Sequence, residues 1–245
     1  MRLLGIDTGG SSLKAAPVDI ETGVLASRVV SFPTPAPATP VAIAGVVTQI
    51  AAAYPEVGGP IGFAFPSVVT AGVARTAANV DKAWIGTNGA QLVRDATGRA
   101  AAFLNDADAA GLAELRVGAG RGQDGTVIML TFGTGIGSAI FHDGHLLPNT
   151  EFGHMEIRGM EAEHRASARV RTMDKLSWEE WSARVNEVLA RMHALFWPDL
   201  FILGGGVTEN WPLFGPLLDS PARIVPAELG NTAGIVGAAL AASEL

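Results

Sequence analysis

Two glycine-rich turns constrain this chain more than any other feature. "DTGGSS" at residues 7–12 and "FGTGIGS" at 132–138 lie about half a chain apart, each between apolar runs of β type. "MRLLGIDTGGSSLKAAPVDIETGVL" reads as strand, glycine turn, strand and acidic-glycine turn, and "TVIMLTFGTGIGSAIFHDGHLL" repeats that outline. An internal duplication follows, and with it the expectation of two similar lobes that each offer a glycine turn to a shared cleft. Such a turn presents backbone N–H groups with no β-carbons in the way, so a phosphate oxygen can approach closely. A plain hairpin turn accounts equally well for either one alone; the pair, with hydroxyl residues in both and Asp7 ahead of the first, favours phosphate binding.

Around these turns, short β-type runs alternate with helical ones, the pattern of an α/β protein. "LLGID", "LKAAPVDI" and "VLASRVVSF" are predicted to form an antiparallel meander. "PTPAPATP" (33–40) is an extended connector, because its four prolines fix φ and remove donors; a helix over about 41–54 follows it. "IGFAFP" is predicted as a buried strand. "AAFLND" (101–106) is another, and it runs straight into the helical "ADAAGLAELR", placing Asn105 and Asp106 where a strand ends and a helix begins. In α/β folds polar groups at that point face a crevice. The second half adds a charged helical stretch over 162–171, an amphipathic helix over about 177–196, the strand "DLFILGGG" and the small-residue helix "NTAGIVGAALAAS".

With 245 residues, 48% of them hydrophobic, the chain can build one large domain or two modest ones. Its longest apolar stretches, 41–53 and 233–242, are too short or too interrupted to span a bilayer, and the N-terminus lacks the apolar core of a signal peptide. No membrane association and a cytoplasmic location are therefore expected. The absence of cysteine excludes disulfides and thiolate metal sites, and a net charge of −7 argues against nucleic acid as a partner. No Gly-x-x-x-x-Gly-Lys-Ser/Thr occurs, so this is not a P-loop protein. The glycines of "GTGIG" lead into a strand, whereas a dinucleotide fingerprint needs a helix N-terminus.

"DTGGSSLK", "LNDADAAGLAE", "FGTGIGS", "EFGH" and "ILGGG" together resemble the ROK family of sugar kinases and repressors, within the actin-like superfamily. Five short motifs in order are specific where each alone is not. "RTAANVDKAWIGTN", "PNTEFGHMEIRG" and "WPDLFILGGG" make the chain most similar to the polyphosphate glucokinase branch. The resemblance implies a two-lobed actin-like, sugar kinase (ribonuclease H-like) α/β fold with duplicated β-hairpin cores. It implies a smaller lobe over 1–106, rejoined by a C-terminal helix over about 230–245, and a larger one over 107–229. The implied reaction moves a terminal phosphoryl group from inorganic polyphosphate, and from ATP, to the 6-hydroxyl of glucose. An ATP-only kinase for glucose or a related hexose such as mannose is the alternative. A homodimer is implied by the resemblance alone.

Roles carry over residue by residue. Asp106 resembles the catalytic base, Asn105 a sugar-hydroxyl ligand, Glu151 and His154 of "EFGH" sugar-binding positions, and Glu163 the glutamate after the family's zinc loop. Thr8, Gly9, Gly10, Ser11, Ser12 and Lys14 on one side, and Gly133, Thr134 and Gly135 on the other, are the phosphate positions. Gly204, Gly205 and Gly206 match the run under the adenosine of ATP. Asp7 is expected to hold Mg²⁺ through water, since hard oxygen ligands suit that ion. Many relatives hold a structural zinc with the His of this motif and three cysteines; without cysteine no zinc is expected here, which leaves open what orients His154. Arg158, Arg165, Arg169, Arg171 and Lys175 cluster within eighteen residues, either as a track for a polyphosphate chain or as a solvated face.

The bland reading of Asp106 is a helix N-cap, that of Asp7 a turn-initiating Asp, and that of Lys14 a solvated side chain. Two other classes stand further off. A ROK repressor is expected to carry a helix-turn-helix ahead of the first phosphate strand, which here starts at residue 3. An actin-like or chaperone-like ATPase would lack the "NDAD" and "EFGH" motifs.

Overall fold

The computed structural model describes residues 1–78 and 80–245; Asn79, inside one run that carries the resemblance, lies outside the described residues. Along the chain run β1 (Arg2–Thr8), β2 (Ser12–Asp19), β3 (Val30–Pro33), α1 (Pro40–Ala53), β4 (Ile61–Phe65), a small hairpin of β5 (Val69–Thr70) and β6 (Val73–Ala74), α2 (Gly89–Thr97), β7 (Ala101–Asn105) and α3 (Asp106–Val117). There follow β8 (Thr126–Phe132), β9 (Ile136–His142), β10 (His145–Leu147), β11 (Glu156–Ile157), β12 (Met160–Glu161), α4 (Ala162–Ala166), α5 (Ala168–Met173) and α6 (Trp178–Phe196). β13 (Leu200–Gly204), α7 (Trp211–Phe214), β14 (Arg223–Pro226) and α8 (Ala233–Ala242) complete the chain. It divides into two compact units, one of Met1–Ala113 with Thr232–Leu245, the other of Glu114–Asn231.

The duplication read from the turns extends to whole sheets. The first unit has a five-stranded sheet in the order β3-β2-β1-β4-β7, the second one in the order β10-β9-β8-β13-β14. In both, the first three strands form an antiparallel meander and the last two join in parallel. This is the ribonuclease H-like order, built twice.

In the first unit β4 is buried along its whole length, as a strand covered on both faces must be. One face carries Leu4, Ile6, Phe63, Phe65 and Phe103 against Ile43, Val47 and Ile50 of α1 and Trp84, where the rings of Phe65 and Trp84 lie 4.1 Å apart. The other face is built of small residues. At Gly62 a Cβ would fall on the carbonyl of Ala238, so α8 lies with its backbone directly on the sheet. In the second unit α6 covers the sheet with Trp181, Val185, Val188, Leu189 and Met192. It begins at a capping box, Ser177 Oγ accepting from Glu180 N and Glu180 Oε2 accepting from Ser177 N at 2.8 Å.

Two sequence expectations are corrected. The third strand of the first meander covers only Val30–Pro33, with Leu25 making a lone bridge to Val18. Pro17 of β2 has no N–H to offer that edge and only accepts from Ala26 N, so continuous pairing fails there. The charged stretch over 162–171 is two helices rather than one. Ser167 turns to φ −63°, ψ 157°, ending α4 and capping α5 with its own hydroxyl, the competition with the helix backbone that serine favours. The connector 34–39 is without helix or strand, and α1 starts at Pro40 behind a Thr39 cap.

Candidate active site

β1 delivers Asp7 and Thr8 to the first glycine turn. The turn closes through Gly9 N to Ser12 O at 2.9 Å, and the connector clasps it, Thr34 N donating to Ser11 O and Thr34 Oγ1 to Gly9 O at 2.8 Å. Gly9, Gly10 and Ser11 are exposed, and a Cβ on Gly10 would meet nothing within 4 Å, so space for a ligand lies directly over the backbone. Thr8 Oγ1 is buried with no hydrogen-bond partner among the described residues, a polar atom an approaching phosphate or water would satisfy.

Asp7 stands opposite Lys14 in the β1–β2 ladder. Burial, and then the charge of Asp106, push its carboxyl up to about 6, against the pull of Lys14. The carboxyl lies over Gly234 of α8, where a Cβ would come 2.6 Å from its Cγ. Burial also raises Asp106, while the N–H of Ala107 pulls it back by donating to Oδ1 at 2.9 Å. Two carboxyl groups, each short of solvent and each repelling the other, are thus placed together by the ends of β1 and β7.

The helix cap that the bland reading gave to Asp106 belongs mainly to Asn105. Its Oδ1 accepts from Ala107 N at 2.8 Å and Asp108 N at 3.0 Å, and its Nδ2 donates to Ser67 O at 3.1 Å. Asn105 therefore anchors the start of α3, which aims Asp106. Ser67 was not legible as a site residue: it is buried, its hydroxyl is tied to the 76 carbonyl, and its carbonyl holds the Asn105 amide.

In the second unit the turn of Gly133, Thr134 and Gly135 closes through Gly133 N to Gly135 O at 3.0 Å, and Arg169 N at the start of α5 donates to Gly133 O at 3.0 Å. Glu163 lies against this turn, where a Cβ on Gly135 would strike its Oε2, and that oxygen accepts from Ile136 N at 3.4 Å. Gly205, at φ 92°, packs on the backbone of Phe132, so the Gly204–Gly206 run sits at the root of the same turn. Glu151 precedes the short turn of helix at Phe152–His154. His154 Nδ1 lies 3.2 Å from Glu161 Oε2, and that bond, with the nearby charges of Glu163 and Glu151, raises the imidazole above its usual range.

The five basic residues are not alike. Arg158 and Arg165 both donate to Glu187 of α6, and the Arg171 guanidinium stacks 3.4 Å above the Trp178 ring. Arg169 and Lys175 have no ion pair among the described residues.

The first unit thus groups Asp7, the turn at 8–12, Lys14, Asn105 and Asp106, and the second groups the turn at 133–135, Glu151, His154, Glu163 and the glycines 204–206. No helix among the described residues is long and apolar enough to cross a membrane.

The ROK family profile matches residues 3–169. A polyphosphate glucokinase of Mycobacterium tuberculosis is 50% identical over 238 residues, covering 97% of this chain and 89% of that protein. The crystal structure of an inorganic polyphosphate/ATP-glucomannokinase from Arthrobacter sp. strain KM superposes with a TM-score of 0.93 at 46% identity, covering 99% of this chain and 98% of that one. A ROK family glucokinase from Streptomyces griseus, solved with glucose and AMPPNP, superposes with a TM-score of 0.86 at 25% identity and full coverage of both chains. With the profile spanning more than half of the sequence and close relatives spanning nearly all of it, the chain belongs to the ROK family.

Proposed function

We propose that this chain phosphorylates glucose on its 6-hydroxyl, with inorganic polyphosphate and ATP as donors. The observation that carries the reading is Asp106, a carboxyl at a strand tip, raised by burial and aimed by the Asn105 cap, next to Asp7. Its donor rests on the 50% identity to a polyphosphate glucokinase over nearly the whole chain.

Asp106 accepts the proton of the 6-hydroxyl as that oxygen bonds to the terminal phosphorus, and the bridging P–O bond breaks with its electrons leaving on the shortened donor. Proton affinity above that of a free carboxyl suits a base working near neutral pH. The turns at 8–12 and 133–135 hold phosphate oxygens with backbone N–H groups, and Lys14 adds charge to the first. Glu151, His154 and Glu163 bind sugar hydroxyls, and Gly204–Gly206 take the nucleotide when ATP is the donor. Mg²⁺ would fit at Asp7, whose carboxyl has the Asp106 acid beside it and Lys14 nearby. Bound there, the ion would offset the charge of the phosphates.

The test is Asp106→Asn, which keeps the oxygen that accepts from Ala107 and removes the base. Formation of glucose 6-phosphate, followed by a coupled assay with polyphosphate and then with ATP, falls at least about 100-fold with both donors while the melting temperature holds. Retention of more than a few per cent of turnover removes Asp106 as the base; turnover of the unaltered chain with ATP alone leaves the ATP-only kinase.

A further inference from the structure

A sugar-binding histidine must present one chosen ring nitrogen in one orientation, and in this chain a carboxylate stands where it can impose both. β11 and β12 form a minimal hairpin, Glu156 opposite Glu161 and Ile157 opposite Met160, turning at Arg158 and Gly159 with φ of 54° and 77°. Its base is closed by Ala162 N donating to Met155 O at 2.8 Å, and its tip is tied to α6 through Arg158 and Glu187 at 2.9 Å. Since His154 directly precedes the hairpin, this brings Glu161 back alongside the ring. Glu161 is also the residue before α4, yet its side chain does not cap that helix; its Oε2 goes to His154 Nδ1 instead.

We propose that Glu161 is the positioning residue of His154. A carboxylate only accepts, so its partner nitrogen carries the proton: Nδ1–H donates to Glu161, and Nε2 is left as the polar atom for the sugar. The inference rests on the reading that His154 binds glucose. The other charged groups of the cluster are Glu151, Glu163 and His164; Nδ1 of His164 lies 3.6 Å from Glu161 Oε2, and its Nε2 lies 3.7 Å from Glu163 Oε1. Ligand atoms of His154, Glu161 and Glu163 also lie within 4.8 Å of one another, so a bound metal ion is the rival means of holding the ring.

The experiment compares the full-length chain with Glu161→Ala, Glu161→Gln and His154→Ala. Michaelis constants are measured for glucose and for each donor, and the imidazole signals of ¹⁵N-histidine-labelled protein are recorded. Glu161→Ala is expected to raise the glucose KM about 10-fold or more, the scale on which second-layer partners act, with donor KM values within about twofold. The His154 signal moves from the Nδ1–H form to a mixture of tautomers. Glu161→Gln keeps a carbonyl acceptor, restores most of the glucose KM, and separates positioning from misfolding. Added to His154→Ala, Glu161→Ala raises the glucose KM no further. An unchanged glucose KM in Glu161→Ala, with a raised one in His154→Ala, overturns the proposal and leaves the sugar role of His154 standing. An unchanged glucose KM in His154→Ala overturns that role itself. Stoichiometric metal in the purified protein, lost in Glu161→Ala, also overturns the proposal, because an ion then holds the ring.

Discussion

Glu114 is fully buried on α3, and its carboxyl group faces backbone N–H groups. Oε2 accepts from Ala119 N at 2.9 Å and Glu228 N at 3.1 Å, and Oε1 accepts from Leu229 N at 2.7 Å. These partners lie near the two places where the chain passes between its units, after Ala113 and after Asn231. Glu114→Ala strands three partly buried donors at once. An unsatisfied buried donor costs about 1–3 kcal/mol, and both the water that reaches these partly buried groups and the gain from no longer burying a carboxylate offset part of the sum, so a net loss of about 3–5 kcal/mol is expected. Glu114→Gln keeps one oxygen, which can serve two donors, and sets an NH₂ against the third; about 2 kcal/mol is expected. For a chain of this size each kcal/mol lowers the melting temperature by about 2–4 °C, so circular dichroism should place Ala at least about 6 °C below the unaltered protein, with Gln between. A Glu114→Gln variant as stable as the parent, or an Ala variant within about 1 kcal/mol of it, would show that the three bonds are not what holds these segments.

Three other outcomes follow from the same geometry. Asp7 binds its proton up to about pH 6 in the native protein, against 3.8 as its ordinary value, so its contribution to stability is complete below pH 3.8 and is lost as pH rises through 6. Without added Mg²⁺, Asp7→Asn is therefore more stable than the parent above pH 6, by up to about 3 kcal/mol, and the advantage disappears near pH 4; melting curves across that range check it. Gly62→Ala should cost about 1–3 kcal/mol because its methyl group falls on the Ala238 carbonyl, whereas Gly45→Ala in α1, with nothing within 4 Å, should be neutral or stabilising in the same denaturation assay. Because Arg169 sits beside the second glycine turn and Lys175 near the end of α5, replacing both with Ala should raise the KM for polyphosphate several-fold more than that for ATP; equal effects would dismiss them as a donor track.

What the sequence disclosed and what it hid divide by the range of the interaction. β4, β7, α6 and α8 were legible because period, caps and glycine punctuation are local signals, and Asn105–Asp106 at the strand-to-helix junction followed from them. α2 also carries local signals, an Asn88 cap accepting from Gln91 N and a left-handed Gly98. The hairpin of β11 and β12 was too short for alternation to register, so the return of Glu161 alongside His154 carried no sequence signal. Ser67 reaches Asn105 across thirty-eight residues, and no pattern in the chain announces such a bond. The closer of the first meander failed for the opposite reason: its β-type residues were genuine, but Pro17 on the neighbouring strand denied them a donor.

The two copies of the sheet also explain why the chemistry is lopsided. Matching strand for strand, Asp7 opposite Lys14 and beside Ala64 in the first copy corresponds to Thr131 opposite Gly137 and beside Gly204 in the second. β7 runs directly into a helix whose first residue is Asp106, whereas β14 is followed by irregular chain and a short 3₁₀ turn. The carboxyl of Asp7 thus has no counterpart at the matching strand position of the second copy, where Thr131 stands. A phosphate chain carries about one negative charge per phosphorus, and an aspartate at position 131 would repel it by Coulomb's law. On the proposed reading the duplicated scaffold is specialised by subtraction: the first turn keeps the aspartate that would hold a metal ion beside the base, and the second offers an anion the N–H groups of its glycine backbone.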